Sequence, residues 1–566
     1  MSEIDGKQSL SGAEALVKML EAFSVDTIFG LCGDTTLPFY DAMARLDHGI
    51  SHFLTRDERH AAYMADAYAR ISGKVGVCEG PSGGGATYIA PGIVEANDSS
   101  VPVLAITTDV ATTSRGKFPL TELDQRALFA PLSKFNDMLD DSATLPAQIR
   151  NTFEQMTTGR PGSAHLGLPF DTQKGLVDID EVWADPQFGQ YPACRRSANE
   201  QEAEKLLNLL IDAEQPIIIC GGGVVLSGAE AELKVLAHNL DIPVATTVSG
   251  QGSLAETDSL CVGVVGSNGG VVQTRKLVEE ADLVFFIGCR AGSVTTERWR
   301  VPSTSKRIVH LDNDEKVLNA IYKTEVALYC DALLGLQTIN ALWGDRQSLI
   351  RNSADKVSAV VAEKFAIFNQ IANQDSRPVR PERVVSELQS ILPDDVIICV
   401  DPGTPCPYFS AYYQWQRPGR HFIANRAHGA LGFALAAAMG AHVAAPEKTV
   451  IAAMGDGSFG FCCGEFETLL RYNIPITIIV FSNSGYGWIK AGQKTSFESR
   501  FHNVDFSCTD HAAVARAFGM QAWTVDDPTQ LRSSLEAAIA CEGPTLVDVI
   551  SQPLQEANAP VSEWIS

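Results

Sequence analysis

At 566 residues, 45% of them hydrophobic and 20% charged, the chain has the make-up of a globular protein of roughly three domains, which excludes a disordered or fibrous one. Its 44 basic against 68 acidic residues leave a net charge of −24, so the basic footprint that a nucleic-acid partner requires is absent. Thirteen scattered cysteines without a Cys-x-x-Cys pair read as reduced thiols of a cytoplasmic protein, and residues 1–10 lack the apolar core of a signal peptide.

Strand-like runs alternate with helix-like ones along the whole chain, predicting an α/β protein of three doubly wound parallel-sheet domains. In the first part, an apolar run at 75–78 leads into a glycine-rich turn at 80–85, a helix at 88–96 and a strand at 101–107. The middle part has strands at 216–220, 283–288 and 307–312, the first running into Gly221-Gly222-Gly223. A helix at 354–372 and the turn-rich 374–381 follow. In the last part, the Ala-rich 429–445 suits a buried helix better than a membrane span. Next come a strand at 449–454, the turn Gly455-Asp456-Gly457, a helix at 464–472 and a strand at 474–481. The first and last parts share one plan, which points to an internal duplication. Domain boundaries are expected near 185–193 and 353–380, giving domains at 1–185, 190–350 and 375–566.

The sharpest chemical signal is Gly455-Asp456-Gly457 followed, after 25 residues, by Asn483. Ligands of open α/β sheets bind beyond the carboxyl ends of the strands, so two neighbouring strands would aim Asp456 and Asn483 at one point. Such hard oxygen ligands suit Mg²⁺, which completes its octahedron with phosphate and water. Gly457 lets a diphosphate approach, and a helix start offers free N–H groups. Each half is also an ordinary turn sequence; the pair in strand context carries the weight. Far upstream, Glu58 begins a helix whose small residues Ala61, Ala62, Ala65 and Ala69 allow close packing, although an acid in a first turn also simply suits the helix dipole.

Gly455-Asp456-Gly457…Asn483 matches the thiamine-diphosphate motif, and nearly the whole chain resembles the acetolactate synthase-like superfamily, which includes pyruvate oxidases, benzaldehyde lyases and oxalyl-CoA decarboxylases. The resemblance implies a pyrimidine-binding, a central nucleotide-binding-like and a diphosphate-binding domain. It implies thiamine diphosphate and Mg²⁺, with Asp456, Asn483 and the Gly485 carbonyl as metal ligands. Gly455, Gly457, Ser458 and Tyr486 would complete the diphosphate side. The segment around Glu58 looks like the family's activating-glutamate helix, which serves a cofactor held by the partner subunit. A homodimer or homotetramer with active sites between subunits follows. By the same likeness, the backbone of Gly429 and Leu431 holds the pyrimidine, Leu431 is the wedge that bends the cofactor, and His428 and Thr121 are further catalytic candidates, the imidazole being able to move protons near neutral pH. Relatives bind FAD or ADP near positions matching Arg290 and Asp312. Here the dinucleotide fingerprint fails, because Leu226 stands where a third glycine is needed.

Several positions depart from the synthases. Asp34 replaces a glycine, Leu120 and Thr121 replace a Phe-Gln pair, Trp488 stands where Met is usual and Gly492 where Trp is usual. The expected reaction on a small carbonyl substrate is therefore carbon–carbon cleavage or formation by a 2-oxo acid decarboxylase/carboligase or a 2-hydroxyacyl lyase. Acetolactate synthase proper and an FAD-linked oxidase are the alternatives, and a non-catalytic paralogue comes last. The tail 552–566 reads equally as a lid or a frayed end.

Overall fold

The computed structural model describes residues 2–4 and 7–564. It contains three six-stranded sheets, each parallel throughout. The first runs Ser51–Leu54, Thr27–Gly30, Gly76–Gly80, Val103–Asp109, Ala164–Pro169, Phe135–Met138. The third runs Phe422–Ala424, Ile397–Val400, Val450–Gly455, Thr477–Ser482, Thr545–Ile550, Gln521–Val525. Numbered within each sheet, both follow the order 2-1-3-4-6-5, so the shared plan read in the sequence is a shared topology. The central sheet has the order 3-2-1-4-5-6, that of dinucleotide-binding folds, with Pro216–Cys220 and Leu283–Ile287 at its middle.

Interior strands such as Pro216–Cys220 and Thr477–Ser482 are buried along their whole length. Helices on both faces leave no wet side, which is why these strands read as unbroken apolar runs. The helix expected at 354–372 is Ser353–Ala372. The one at 88–96 begins earlier, at Gly84, because Gly83 takes a left-handed φ of 67° and ends the turn. After Gly455 the chain is already helical from Asp456 to Cys462, and a 3₁₀ turn separates this piece from Phe466–Arg471. Among the described residues no helix is long and apolar enough to cross a membrane, and the cysteines are free thiols.

By packing, the chain divides into two compact units. One comprises Met1–Cys194 together with Ala427–Pro446 and Gly464–Tyr472; the other comprises Arg195–Arg426, Glu447–Cys463 and Asn473–Ser566. In the first, the helix Glu58–Ser72 is buried along its alanine face and lies against Phe433–Ala444. The contact is backbone to backbone: a Cβ at Gly440 would overlap the carbonyl oxygen of Met64. Tyr63 and Phe433 close it with an edge-on ring contact at 5.2 Å. Gly440→Ala should therefore push the helices apart and destabilise the protein by about 1–3 kcal/mol, measured as a lower urea midpoint.

His165 lies fully buried between Thr107 (2.6 Å) and Asn136 (2.9 Å), its ring stacked on Phe129 at 3.8 Å. Burial lowers its pKa to about 3. The fold thus holds the neutral ring, and its contribution to stability is lost as pH falls from the ordinary histidine range towards that value. His165→Gln should be less stable at neutral pH yet show a flatter fall of melting temperature on acidification.

Candidate active site

Two positions stand out, each at the point where its sheet's strand order reverses, the usual place for a ligand in an open α/β sheet. In the third sheet that point lies beside Val450–Gly455, whose end delivers Asp456 into the first turn of a helix. The Asp456 carboxylate is buried and tied to the backbone. Oδ2 accepts the N–H groups of Asn483 (2.7 Å) and Ser484 (2.6 Å), and Oδ1 that of Gly457 (2.9 Å). These bonds fasten the end of one strand to the end of its neighbour, Thr477–Ser482. Burial lifts the Asp456 carboxyl above the usual carboxylate range, against the pull of the three N–H donors. Below it, Ser482 is held by the buried pair His511 (3.0 Å) and Asp548.

Around this carboxylate the structure gathers Gly457, Asn483, Gly485 and Tyr486. The Asn483 side-chain amide, unlike its backbone N–H, makes no hydrogen bond with the chain among the described residues. The Gly485 carbonyl accepts the Gly487 N–H (2.9 Å), which leaves its second lone pair. A Cβ at Gly455 would meet nothing within 4 Å, whereas one at Gly457 would lie 2.8 Å from the Tyr486 ring. One carboxylate with spare lone pairs, one amide and one carbonyl beside an open backbone fit Mg²⁺ carrying a diphosphate. No cluster of three His, Cys, Asp or Glu suited to a metal occurs among the described residues. Ser458 is buried in the first turn of the same helix.

In the first sheet the reversal lies between Thr27–Gly30 and Gly76–Gly80. Glu58 sits there at the first position of its helix, capped by Asp57, which accepts the Arg59 N–H at 2.8 Å. Its carboxyl lies under the glycines of the next turn: a Cβ at Gly85 would come within 3.1 Å of Oε1. Burial, with Asp57 and Glu79 adding repulsion, pushes this carboxyl up from the ordinary range. Thr121 stands at the outer end of a hydroxyl chain that runs to Ser82 (2.7 Å), Thr35 (3.1 Å) and the buried Thr108 (2.7 Å). Its φ of 69° is a costly conformation for a β-branched residue. Leu120 beside it is exposed, as is Asp34.

His428 and Gly429 lie on an exposed bend before the helix Phe433–Ala444, with Leu431 half-buried. The N–H groups of Ala427, His428 and Gly429 are all turned inward to Glu95. Gly429 therefore has its carbonyl left to offer a ligand, its N–H being taken up by Glu95. A second overlooked carboxylate, the buried Glu465, accepts the Arg56 N–H (3.0 Å) and pairs with His60 (3.0 Å), fixing both sides of Glu58. The signal for Glu95 was a single acid inside an apolar helix, which rarely stays buried without partners.

The tail is pinned rather than frayed through Trp564. Leu554 is buried, Pro560 accepts the Gly269 N–H (2.9 Å), and Trp564 meets Trp488 edge-on at 5.1 Å, Trp488 lying one turn before the buried Gly492 in its helix. In the central domain Gly221 and Gly223 are packed against Gly288 and Cys289, so these glycines serve the close approach of turn and strand; Arg290 is exposed and Asp312 ends its strand.

The family description "Thiamine pyrophosphate enzyme" matches in three successive pieces: the N-terminal TPP binding domain at residues 10–128, the central domain at 203–342 and the C-terminal TPP binding domain at 401–549. The chain is 34% identical over 559 residues to a probable acetolactate synthase large subunit of Methanococcus aeolicus, covering 96% of this chain and 92% of that protein. It is 30% identical over 556 residues to the acetolactate synthase large subunit of Lactococcus lactis, covering 97% and 94%. With all three domains matched in order and the likeness running almost end to end, the chain belongs to the thiamine-diphosphate-dependent enzymes of the acetolactate synthase-like superfamily.

Proposed function

We propose that the protein is a carboligase of the acetolactate synthase type. One 2-oxo acid loses CO₂, the remaining acyl unit is joined to the carbonyl carbon of a second 2-oxo acid, and one proton is taken up. The observation that carries this reading is the Asp456 turn, locked to Asn483 beside an open backbone, in a chain that is alike throughout to proteins named acetolactate synthase large subunit. This reverses the preference drawn from the substituted pocket positions alone.

Thiamine diphosphate, when bound, supplies the carbon that stabilises the acyl carbanion. The chain does the rest. Asp456, Asn483 and the Gly485 carbonyl would hold Mg²⁺, with Gly455, Gly457, Ser458 and Tyr486 lining the diphosphate side. Leu431 and the Gly429 carbonyl orient the pyrimidine. Glu58, its proton affinity raised by burial, would hydrogen-bond the pyrimidine and exchange a proton with it. His428 and Thr121 are the further side chains that would serve the reacting group. FAD or ADP in the central domain is a structural ligand in this reading, and a visible spectrum of the purified protein separates the two.

A second reading, a 2-hydroxyacyl or 2-hydroxyketone lyase, is favoured by the Trp488–Trp564 contact and the Leu120-Thr121 pair, which replace the synthase pocket. Incubation with pyruvate decides between them. The synthase reading expects CO₂ and acetolactate; no condensation product, together with aldehyde release from a hydroxyacyl substrate, would favour the lyase.

Glu58→Gln should lower kcat by about 10²–10⁴-fold while the protein stays folded. The reading also requires Glu58 of one chain to serve the metal loop of another, in a homodimer or homotetramer. Mixing inactive Glu58→Gln with inactive Asp456→Ala should then restore about a quarter of wild-type activity. Random pairing makes half of the dimers mixed, each with one intact site. No recovery despite proven subunit exchange would place both groups in one chain's own site.

A further inference from the structure

The bend at 427–429 is open to solvent, yet its backbone is held from beneath by one buried side chain. Glu95, on the helix Gly84–Asp98, is fully buried. Its Oε2 accepts the N–H groups of His428 (2.6 Å) and Gly429 (3.3 Å), and its Oε1 accepts those of Ala427 (3.3 Å) and the Ser99 hydroxyl (2.8 Å). Arg70 stands 3.7 Å from Oε1 and is itself paired with Asp66 at 2.9 Å. Three consecutive peptide N–H groups converge on one anion only if the chain curls into a nest, which needs a left-handed residue. Gly429 supplies it, with φ 76°. A second left-handed glycine, Gly432 at 85°, then releases the chain into the helix Phe433–Ala444. With these three N–H groups taken up, the bend turns His428 and Gly429 to solvent and keeps Leu431 half-buried.

We propose that Glu95, backed by Arg70, is a positioning residue that sets the conformation of the cofactor-cradling bend 427–431, so that cofactor affinity depends on a carboxylate that never touches the cofactor. The inference rests on the thiamine-diphosphate reading of the site. Two measurements test it. In the wild-type protein without cofactor, hydrogen exchange of the 427–429 amides should be strongly protected despite their exposed position; exchange at the rate of a free peptide would overturn the proposal. In Glu95→Gln, the side-chain NH₂ faces N–H donors. That variant should lose this protection and need about tenfold or more thiamine diphosphate for half-saturation, while kcat at saturating cofactor falls less than threefold. Unchanged cofactor affinity would overturn it, as would a large loss of kcat at unchanged affinity. Should the variant not fold, Ser99→Ala, which removes only the hydroxyl donor to Oε1, should raise the half-saturating concentration measurably, and no rise would count against the proposal. If the wild-type protein binds no thiamine diphosphate, the functional reading fails, while the exchange measurement still decides whether Glu95 holds the bend.

Discussion

The geometry of the first unit depends on how closely the helix Glu58–Ser72 lies against Phe433–Ala444. Glycine at 440 and the alanines facing it let the two backbones touch, so neither helix can slide without a steric clash. The helices carry candidate site residues at their amino ends: Glu58 begins one, and the bend with His428, Gly429 and Leu431 precedes the other. Two buried carboxylates complete the fastening in opposite senses. Glu465 holds the chain on both sides of Glu58, and Glu95 holds the bend. The segments of Glu58 and of His428 are therefore each held by a carboxylate from outside the segment, which suits a site whose atoms must stay put.

Much of this was legible in the sequence because it is local. Parallel strands buried on both faces are continuous apolar runs, and the 2-1-3-4-6-5 order of two sheets showed itself as a repeated strand–turn–helix–strand plan. Asp456 and Asn483 announced themselves through neighbouring strand ends. What stayed hidden is non-local. Nothing near Glu95 states that its partners lie at 427–429, and nothing near Arg56 points to Glu465. The direction of the Gly429 N–H is equally invisible, since a glycine that permits a left-handed bend does not say which way the bend's donors will turn. The helical start at Asp456 was missed because two glycines flanking it depress helix propensity, and a carboxylate bonded to Gly457 N–H overrides them.

Local rules break around Thr121 and Trp488. Thr121 keeps a left-handed backbone at the end of a row of four hydroxyls, and Trp488 meets Trp564 edge-on, at positions where the sequence departs from the pattern expected of the synthases. Strain tolerated in a folded chain concentrates where function selects it. On the proposed reading, the cofactor would be held by Asp456, Asn483 and the bend 427–431, and the substrate met by a separate set of residues around Thr121 and Trp488.

The fastening of Glu58 has a further consequence, for how the protein is made. Its clamp spans 409 residues of sequence, and that of the bend spans 332. A chain emerging amino end first from the ribosome can form its leading parallel sheet early, but the helix that carries Glu58 lacks the neighbour that covers it until residues 433–472 have been synthesised. In the interval an alanine-lined groove with a buried histidine is open to water and to other nascent chains. Contacts of such separation are slow to close, so the first sheet must wait, partly uncovered, for most of the polypeptide to appear.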